Sequence, residues 1–390
     1  VRIDRFFQDF LAERQFGIWC FVIGVYEFGV SKILVGLSGG VDSAVAAALL
    51  LEQGHEVTGG YMKNWINEEG IAGDCPWEQD VEDAHAVAKT LGIELRVVDL
   101  IDQYRDRIVD YLLAGYRDGI TPNPDVYCNR EMKFGVFLDY ALSQGFEAVG
   151  TGHYARRRER SDGSADILRG SDPNKDQSYF LALMEQRQAQ HARFPCGELL
   201  KPQVREVARR FHLPVAEKKD SQGICFIGNI KMGDFLSHYV PDKPGEIVDL
   251  EGKVLGQHRG LHLYTLGQRK GHGVASPRKG MAYVVVGKNP EKNQLIVGWD
   301  QADTPGLYIK RCTVGTVSWT NKAITSSCKL EAQPRYRAKS EPVTVTPTDE
   351  GKLNLEFVRP QRAITPGQIC AFYEGGTLLG GGVFEQVEPA

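Results

Sequence analysis

The chain has 390 residues, 42% hydrophobic and 25% charged, which is close to the soluble globular average. That excludes a disordered or fibrous chain and leaves room for two or three domains of roughly 100–200 residues each. Forty-six Lys and Arg against 50 Asp and Glu leave a net charge of −4, so a polycationic nucleic-acid coat is excluded but a local basic face is not. Mean hydropathy is −0.29, and the most apolar window, residues 16–25, is far shorter than the roughly 20 residues a membrane span needs.

Residues 1–30 mix Arg2, Asp4, Arg5, Asp9, Glu13 and Arg14 with one apolar run. Early acids do not fit a secretory leader. The segment reads either as an N-terminal extension or as a mistaken translation start, and no function attaches to it. Residues 33–37 (ILVGL) read as a buried strand, SGGVDS follows at 38–43, and residues 44–51 have helical composition, stopped by Gly54. Residues 56–62 read as a second strand. Val81, Ala84, Val87, Ala88 and Leu91 recur at helical spacing, and Gly92 closes that helix. Residues 93–98 predict a third strand, 101–116 and 133–142 helices, and 148–151 a further strand. Strands alternating with helices predict an α/β unit built on a doubly wound parallel sheet.

From about Gly228 short alternating runs take over, at 246–249, 253–255, 282–287 and 294–297. From Tyr308 the β-branched alternation is clear, at 313–317, 343–346 and 353–357, and predicts a C-terminal β-barrel or sandwich. The expected boundaries are 1–30 for the extension, 31–227 for the α/β unit, 228–304 for a small central domain and 305–390 for the barrel. Residues 201–290 carry 15 Lys and Arg against 8 Asp and Glu, a basic middle on an acidic chain. Either a polyanion-binding surface or a scattered solvated surface fits that balance.

The eight cysteines, Cys20, Cys75, Cys128, Cys196, Cys225, Cys312, Cys328 and Cys370, are never closer than 16 positions, which excludes CxxC metal knuckles and redox pairs. They are too dilute for a disulfide scaffold, so reduced thiols in a cytoplasmic protein are expected.

SGGVDS between a strand and a helix is the strongest local signal. Its two glycines let backbone N–H groups turn inward as an anion nest, Ser38 and Ser43 add hydroxyls, and the helix N-terminus favours negative charge. Asp42 makes sense there as a ligand of Mg2+ bridging to phosphate oxygens. Neither GxxxxGK[ST] nor GxGxxG is present. Instead SGGxDS resembles the PP-loop of the ATP pyrophosphatases. That resemblance implies cleavage of ATP between its α- and β-phosphates, with AMP left on a substrate oxygen.

Two cysteines have context. Cys128 ends the double-proline loop at 121–127 and precedes a helix that Asn129 is expected to cap. A helix N-terminus with Arg130 and Lys133 nearby would lower its pKa, and Asp125 could pass protons. The alternative is a buried structural cysteine. Cys225 follows KKDSQGI and enters an apolar patch, where a strand cysteine packing inward is equally consistent.

Taken together the strings resemble the tRNA-specific 2-thiouridylase family. They are, in order, GLSGGVDS at 36–43, MKNW at 62–65, TPNPD at 121–125 with CN at 128–129, TGHYAR at 151–156, DPNKDQSYFL at 172–181, KKDSQGICFIG at 218–228, YTLGQRKG at 264–271, RYR at 335–337 and TPGQ at 365–368. The match begins near Lys32 and runs to near the C-terminus. It implies a PP-loop domain followed by a central tRNA-binding domain and a barrel.

By resemblance, ATP sits on Gly36, Leu37, Ser38, Gly39, Gly40, Val41, Asp42 and Ser43, with Met62 near the adenine, Gly152 as a further contact, and Mg2+ as cofactor. Cys225 would carry a persulfide and Cys128 would be the nucleophile that frees its sulfur and forms a disulfide with it, with Asp125 as acid/base. In an alternative step the persulfide attacks the activated carbon directly. The target-base loop would be Asn123, Pro124 and Asp125. Further tRNA contacts would come from His153, Lys175, Asp176, Gln177, Arg335, Tyr336 and Gln368. Implied partners are tRNAs for Lys, Glu and Gln and a sulfur-donor protein, with the enzyme a cytoplasmic monomer. Rival readings are a nitrogen-transferring PP-loop synthetase, a non-catalytic RNA-binding protein and a persulfide relay.

Overall fold

The computed structural model describes residues 29–66, 77–220, 232–275 and 280–389. Residues 1–28, Cys75 and Cys225 lie outside the described residues.

The chain begins with β1 (Lys32–Gly36), α1 (Val41–Glu52), β2 (Glu56–Lys63), α2 (Trp77–Leu91) and β3 (Leu95–Asp99). A helix α3 follows as Ile101–Tyr104, a π stretch Arg105–Val109 and Asp110–Arg117. The next, α4, runs as Pro124–Tyr127, a π stretch Cys128–Val136 and Phe137–Ser143. Then come β4 (Ala148–Gly150), β5 (Ala155–Glu159), β6 (Ala165–Arg169), α5 (Gln186–His191), β7 (Ala192–Arg193), α6 (Lys201–Arg210) and α7 (Met232–Tyr239).

Five strands pair in parallel in the order β3-β2-β1-β4-β7. β1 is central, with β2 and β3 on one side and β4 and β7 on the other. The winding therefore reverses at β1, and the crevice at its carboxyl end is where open α/β sheets take ligands. Alternate residues of β1 face opposite sides. Ile33 and Val35 pack with Val45, Tyr61 and Val204 on one face. Leu34 packs with Met62, Leu112, Val126 and Phe137 on the other. Apolar helices cover both faces, as a doubly wound sheet requires. Phe137 presses so closely on the sheet that a Cβ on Gly60 would fall 2.6 Å from its ring.

The middle segment holds β8 (Gly245–Val248), β9 (Val254–His258), β10 (Tyr283–Asn289) and β11 (Gln294–Trp299), ordered β10-β11-β8-β9 around Ile247, Val285, Leu295 and Val297. The last six strands are β12 (Tyr308–Trp319), β13 (Cys328–Gln333), β14 (Glu341–Pro347), β15 (Leu353–Arg362), β16 (Ile369–Glu374) and β17 (Thr377–Pro389). They run antiparallel as β12-β15-β14-β13-β16-β17, and β17 pairs back to β12. The C-terminal unit is thus a closed six-stranded barrel rather than a sandwich, and closure leaves its own strands no free edge. No described helix is long and apolar enough to cross a membrane.

One local expectation is corrected: Cys128 is not at a helix N-terminus and Asn129 is not its cap. The helix starts earlier, at Pro124, because Pro is preorganised for the first helical position. Asn123 is the cap, its Oδ1 accepting the Val126 N–H at 3.3 Å, so Cys128 sits beyond the first turn, where the dipole has largely faded. The hairpin β5–β6 is part of the barrel's sheet. β6 pairs with β17 through Leu168 with Thr377 and Ile167 with Leu378.

Candidate functional site

The phosphate loop is built mostly by backbone. Gly39 has φ +72°, and a Cβ there would lie 2.5 Å from the Asp80 carbonyl oxygen. Only glycine fits that approach. The Ser43 hydroxyl accepts the Ser38 N–H at 3.1 Å and donates to the Gly40 carbonyl at 3.0 Å, closing the loop on itself. The first N–H groups of α1 have no intrahelical carbonyl within reach, which makes this turn an anion site. A Cβ on Gly36 would meet Met62 Cε at 3.4 Å, and one on Gly152 would fall 2.5 Å from the Asp42 carbonyl carbon. Met62 and Gly152, far apart in sequence, therefore both border the loop.

Its electrostatics come from elsewhere. Asp42 Oδ1 accepts hydrogen bonds from the Tyr154 hydroxyl at 2.8 Å and from Lys201 Nζ at 2.7 Å. Lys201 also reaches Asp220 Oδ1 at 2.7 Å, and Asp220 pairs further with Lys175 and Arg205. Burial opposes the charge on Asp220, but the Lys175 and Lys201 hydrogen bonds outweigh it and hold the carboxyl below its usual range. Lys218 Nζ binds the Gly39 carbonyl, Asp80 and Asp83, and those acids keep its pKa raised against burial. Burial, then the Asp42 charge, pushes the Tyr154 hydroxyl far above its ordinary pKa, so it stays a donor. Cys196, fully buried beneath the loop, donates to the Asp42 carbonyl, and burial raises its thiol well above the ordinary value.

The donor set fits a nucleotide's phosphates. A Mg2+ ion typically takes one or two carboxylates and completes its shell with phosphate oxygens and water. Asp42 is the carboxylate on the loop, although its Oδ1 is already shared by Lys201 and Tyr154. Among the described residues no cluster of three or more His, Cys, Asp or Glu could hold a metal by itself.

Cys128 is fully buried on α4, on the sheet face that carries Met62. Its neighbour Asn129 donates from Nδ2 to the Phe180 carbonyl at 3.1 Å, and its Oδ1 lies 3.1 Å from His153 Nε2. His153 Nδ1 is 2.7 Å from the Thr151 hydroxyl. Burial, then the Lys133 charge, drives the His153 pKa well below the ordinary value, so this buried imidazole is neutral. Thr151 adjoins Gly152, which packs on Asp42. One short chain of contacts thus links the helix of Cys128 to the phosphate loop.

The loop carrying Asn123, Pro124 and Asp125 is held from outside the α/β unit. Gln368 Nε2 donates to the Thr121 carbonyl at 2.7 Å, the Thr121 N–H reaches the Pro366 carbonyl at 3.3 Å, and the Thr121 and Thr265 hydroxyls meet at 3.1 Å. Asp125 is half-buried. Tyr336 packs on Phe180 with ring centroids 4.4 Å apart, and Arg335 and Arg337 beside it are exposed.

The other expected contacts have internal work. Asp176 accepts from Arg169 Nη1 and from the Gly170 and Ser178 N–H groups; Gln177 Oε1 accepts the Tyr154 N–H; Lys175 holds Asp220. The basic middle is also partly neutralised within the chain. Lys201, Arg205, Arg209, Arg210, Lys218, Arg259 and Arg269 are all paired with acids of the same chain. Lys201, Lys218 and Tyr154 were not singled out from sequence. Tyr154 and Lys218 lie inside the quoted strings, whereas Lys201 has no local signal at all.

Three family models match in order: the tRNA methyl transferase HUP domain at residues 31–229, the tRNA methyl transferase PRC-barrel domain at 233–299 and the Aminomethyltransferase beta-barrel domain at 309–384. The tRNA-specific 2-thiouridylase MnmA of Akkermansia muciniphila is 65% identical over 360 residues, covering 92% of this chain and all of that one. The protein of the same name from Stutzerimonas stutzeri is 45% identical over 362 residues, covering 92% and 96%. Among solved structures, a 4-thiouridine synthetase–RNA complex with bound ATP aligns with 51% of this chain and 46% of its own at 18% identity and a TM-score of 0.34, too distant to carry an argument. On the identity and coverage of its sequence relatives, this chain belongs to the tRNA-specific 2-thiouridylase family.

Proposed function

We propose that the chain is an ATP-dependent tRNA-uridine 2-sulfurtransferase, a cytoplasmic enzyme that replaces the C2 oxygen of wobble uridine 34 by sulfur. The loop of residues 36–43 holds ATP with Mg2+ on Asp42, and Met62 and Gly152 flank the nucleotide. ATP supplies the adenylyl group that turns a poor oxide leaving group into AMP, with pyrophosphate released. Asn123, Pro124 and Asp125 receive the base, which has to be taken out of its stack to be reached, and Asp125 moves the proton. Cys225 carries the persulfide delivered by a sulfur-donor protein. The Cys128 thiolate attacks the inner sulfur, the S–S bond to the terminal sulfur breaks, and the released sulfide adds at C2 as AMP leaves. A Cys128–Cys225 disulfide remains, to be reduced before the next round. Because Cys128 is fully buried, its thiol has to be uncovered for that attack.

The observation that carries this reading is the contact chain from the helix of Cys128 through Asn129, His153 and Thr151 to Gly152 on Asp42. It supports a single site shared by the thiol helix and the phosphate loop. Asp220, tied to Asp42 through Lys201, precedes Cys225 by five positions, a span of at most roughly 18 Å of chain. The tRNA contacts extend to His153, Lys175, Asp176, Gln177, Arg335, Tyr336 and Gln368, with tRNAs for Lys, Glu and Gln as substrates of a monomeric enzyme. The proposed units are 31–227, 228–304 and 305–390.

The test is mass analysis of nucleosides from tRNA incubated with the protein, ATP, Mg2+ and a persulfide-loaded sulfur-donor protein. A sulfur-for-oxygen shift on uridine, with pyrophosphate released, is expected. A methyl shift dependent on S-adenosylmethionine, or turnover that persists when both Cys128 and Cys225 are Ser, overturns the proposal.

A further inference from the structure

Asn64 stands at the carboxyl end of β2, one residue beyond the strand and two beyond Met62. It is 2% exposed, yet neither its Oδ1 nor its Nδ2 has a hydrogen-bond partner among the described residues. The indole Nε1 of its neighbour Trp65, itself 6% exposed, is unpartnered too. Buried polar groups are almost always satisfied, and an amide without partners is among the costlier things a core can hold. Elsewhere in this protein buried amides are used: Asn129 bonds through both of its polar atoms. An amide left without partners at this place calls for a ligand.

The place narrows the ligand. A Cβ on Gly60 would strike Phe137, and one on Gly36 would meet both Met62 Cε and Phe137. Gly60 and Met62 therefore look to the face covered by α4, the helix of Cys128. Asn64 follows just past the strand, between Met62 and Trp65, which both pack in the core shared with α4. β2 runs parallel to β1, with the pairing ending at Gly36–Gly60, so Asn64 lies beyond the same carboxyl edge of the sheet from which the phosphate loop leaves. A side-chain amide offers one donor next to one acceptor and pairs with a nucleobase edge that offers the reverse. Adenine does so with N7 and its N6 amino group, and uracil with O4 and N3–H.

We infer that Asn64 is a nucleobase-reading residue of this site, its amide pairing with a base edge held between the end of β2 and α4. The inference deepens the proposed function and rests on it for the identity of the ligands. The two sources of such an edge, the adenine of ATP and the target uracil, are separated by the experiment.

The variants are Asn64→Leu, apolar and of similar shape, and Asn64→Asp, which keeps the shape and loses the donor. ATP binding is measured by calorimetry. RNA binding is measured with an anticodon stem-loop carrying uridine at the wobble position and with the same RNA carrying cytidine. Thermal unfolding is followed without ligand. An amide kept for a ligand is spare in the free protein, so Asn64→Leu should leave its Tm unchanged or raise it by roughly 2–4 °C. Affinity should fall about 10- to 100-fold for ATP if adenine is the edge read. If it is uracil, the fall is in the uridine stem-loop alone, with loss of preference over cytidine. Either loss, reproduced by Asn64→Asp and with the Tm of Asn64→Leu not lowered, supports the inference. Wild-type affinities retained by both variants, with or without a lowered Tm, overturn it. A wild-type protein that binds neither ATP nor the stem-loop overturns the proposed function instead, and a lowered Tm of Asn64→Leu in that free protein would by itself show the amide to be structural.

Discussion

The phosphate loop and the loop of residues 121–125 are positioned in opposite ways. The first takes its shape from its own six residues, through the positive φ of Gly39 and the Ser38–Ser43 closure. Only its charge is set from a distance, by Lys201 and Lys218. The second has little shape of its own beyond the Asn123 cap. Thr265 of the middle segment and Pro366 and Gln368 of the barrel hold it in place. A loop that must cradle phosphates can be specified locally, because backbone N–H groups do the binding. Under the proposed function the second loop presents side chains to a bulky RNA, and such a loop has to be registered against the surfaces that hold the rest of that RNA.

This contrast can be broken by variants that separate the two halves. The largest effect is expected from Cys128→Ser, which should lower thiolation by about a thousandfold or more while ATP affinity stays at the wild-type value. Nucleoside mass analysis beside calorimetric ATP titration checks it, and a loss of both together would mean that the thiol helix and the phosphate loop fold as one.

Next is Asp42→Asn. It removes the carboxylate charge while leaving Lys201 its bond to Asp220, so pyrophosphate release should drop about a hundredfold with stem-loop affinity unchanged. Weakened RNA binding would contradict the division of labour.

A smaller effect comes from Gln368→Ala. One or two hydrogen bonds to the 121–122 carbonyls are lost, net about 1 kcal/mol. The KM for RNA should rise about fivefold while the KM for ATP holds. Equal changes in both would show that the barrel contact supports the whole unit rather than the base loop.

The smallest sits behind the same loop. Lys288 donates to the Gly119 carbonyl at 2.9 Å, and burial pushes its pKa down to about 8. Unfolded, the amine titrates near its ordinary value of 10.5. Between these pH values the unfolded chain binds more protons, so this lysine makes stability rise with pH by up to about 1 kcal/mol per unit, a slope that is about half as large at pH 8 and fades out below about pH 7. Lys288→Met should therefore flatten the urea midpoint between pH 8 and 9.5 relative to wild type. An unchanged slope would place the charge in water.

Much of the fold was legible. The alternation of strand and helix through residue 151 and the β-branched runs after Tyr308 mark the doubly wound sheet and the barrel, because periodicity follows directly from which face is buried. Less legible was anything set by distant residues. Asn129 reads as a cap from its neighbours, but Asn123 and Pro124 start the helix first, and tertiary partners at Phe180 and His153 take its amide. The charges of residues 201–290 look like a surface, yet acids of the same chain at positions 42, 52, 80, 83, 217, 220, 242 and 300 neutralise many of them. The fully buried Cys128 has no sequence signal for its burial, since burial is a property of the helices packed above it.

What residue order alone determined is the chemistry available: a glycine-rich anion nest opening a helix, two cysteines in polar strings, and sheets of two kinds. These depend on φ/ψ preference and side-chain period, which act over a few residues. Tertiary structure alone decided that Lys201 neutralises Asp42 from 159 positions away, that β6 extends the barrel's sheet, and that Gln368 pins the loop before Asp125. Coulomb attraction and strand pairing act through space, so no reading along the chain can rank the partners they choose.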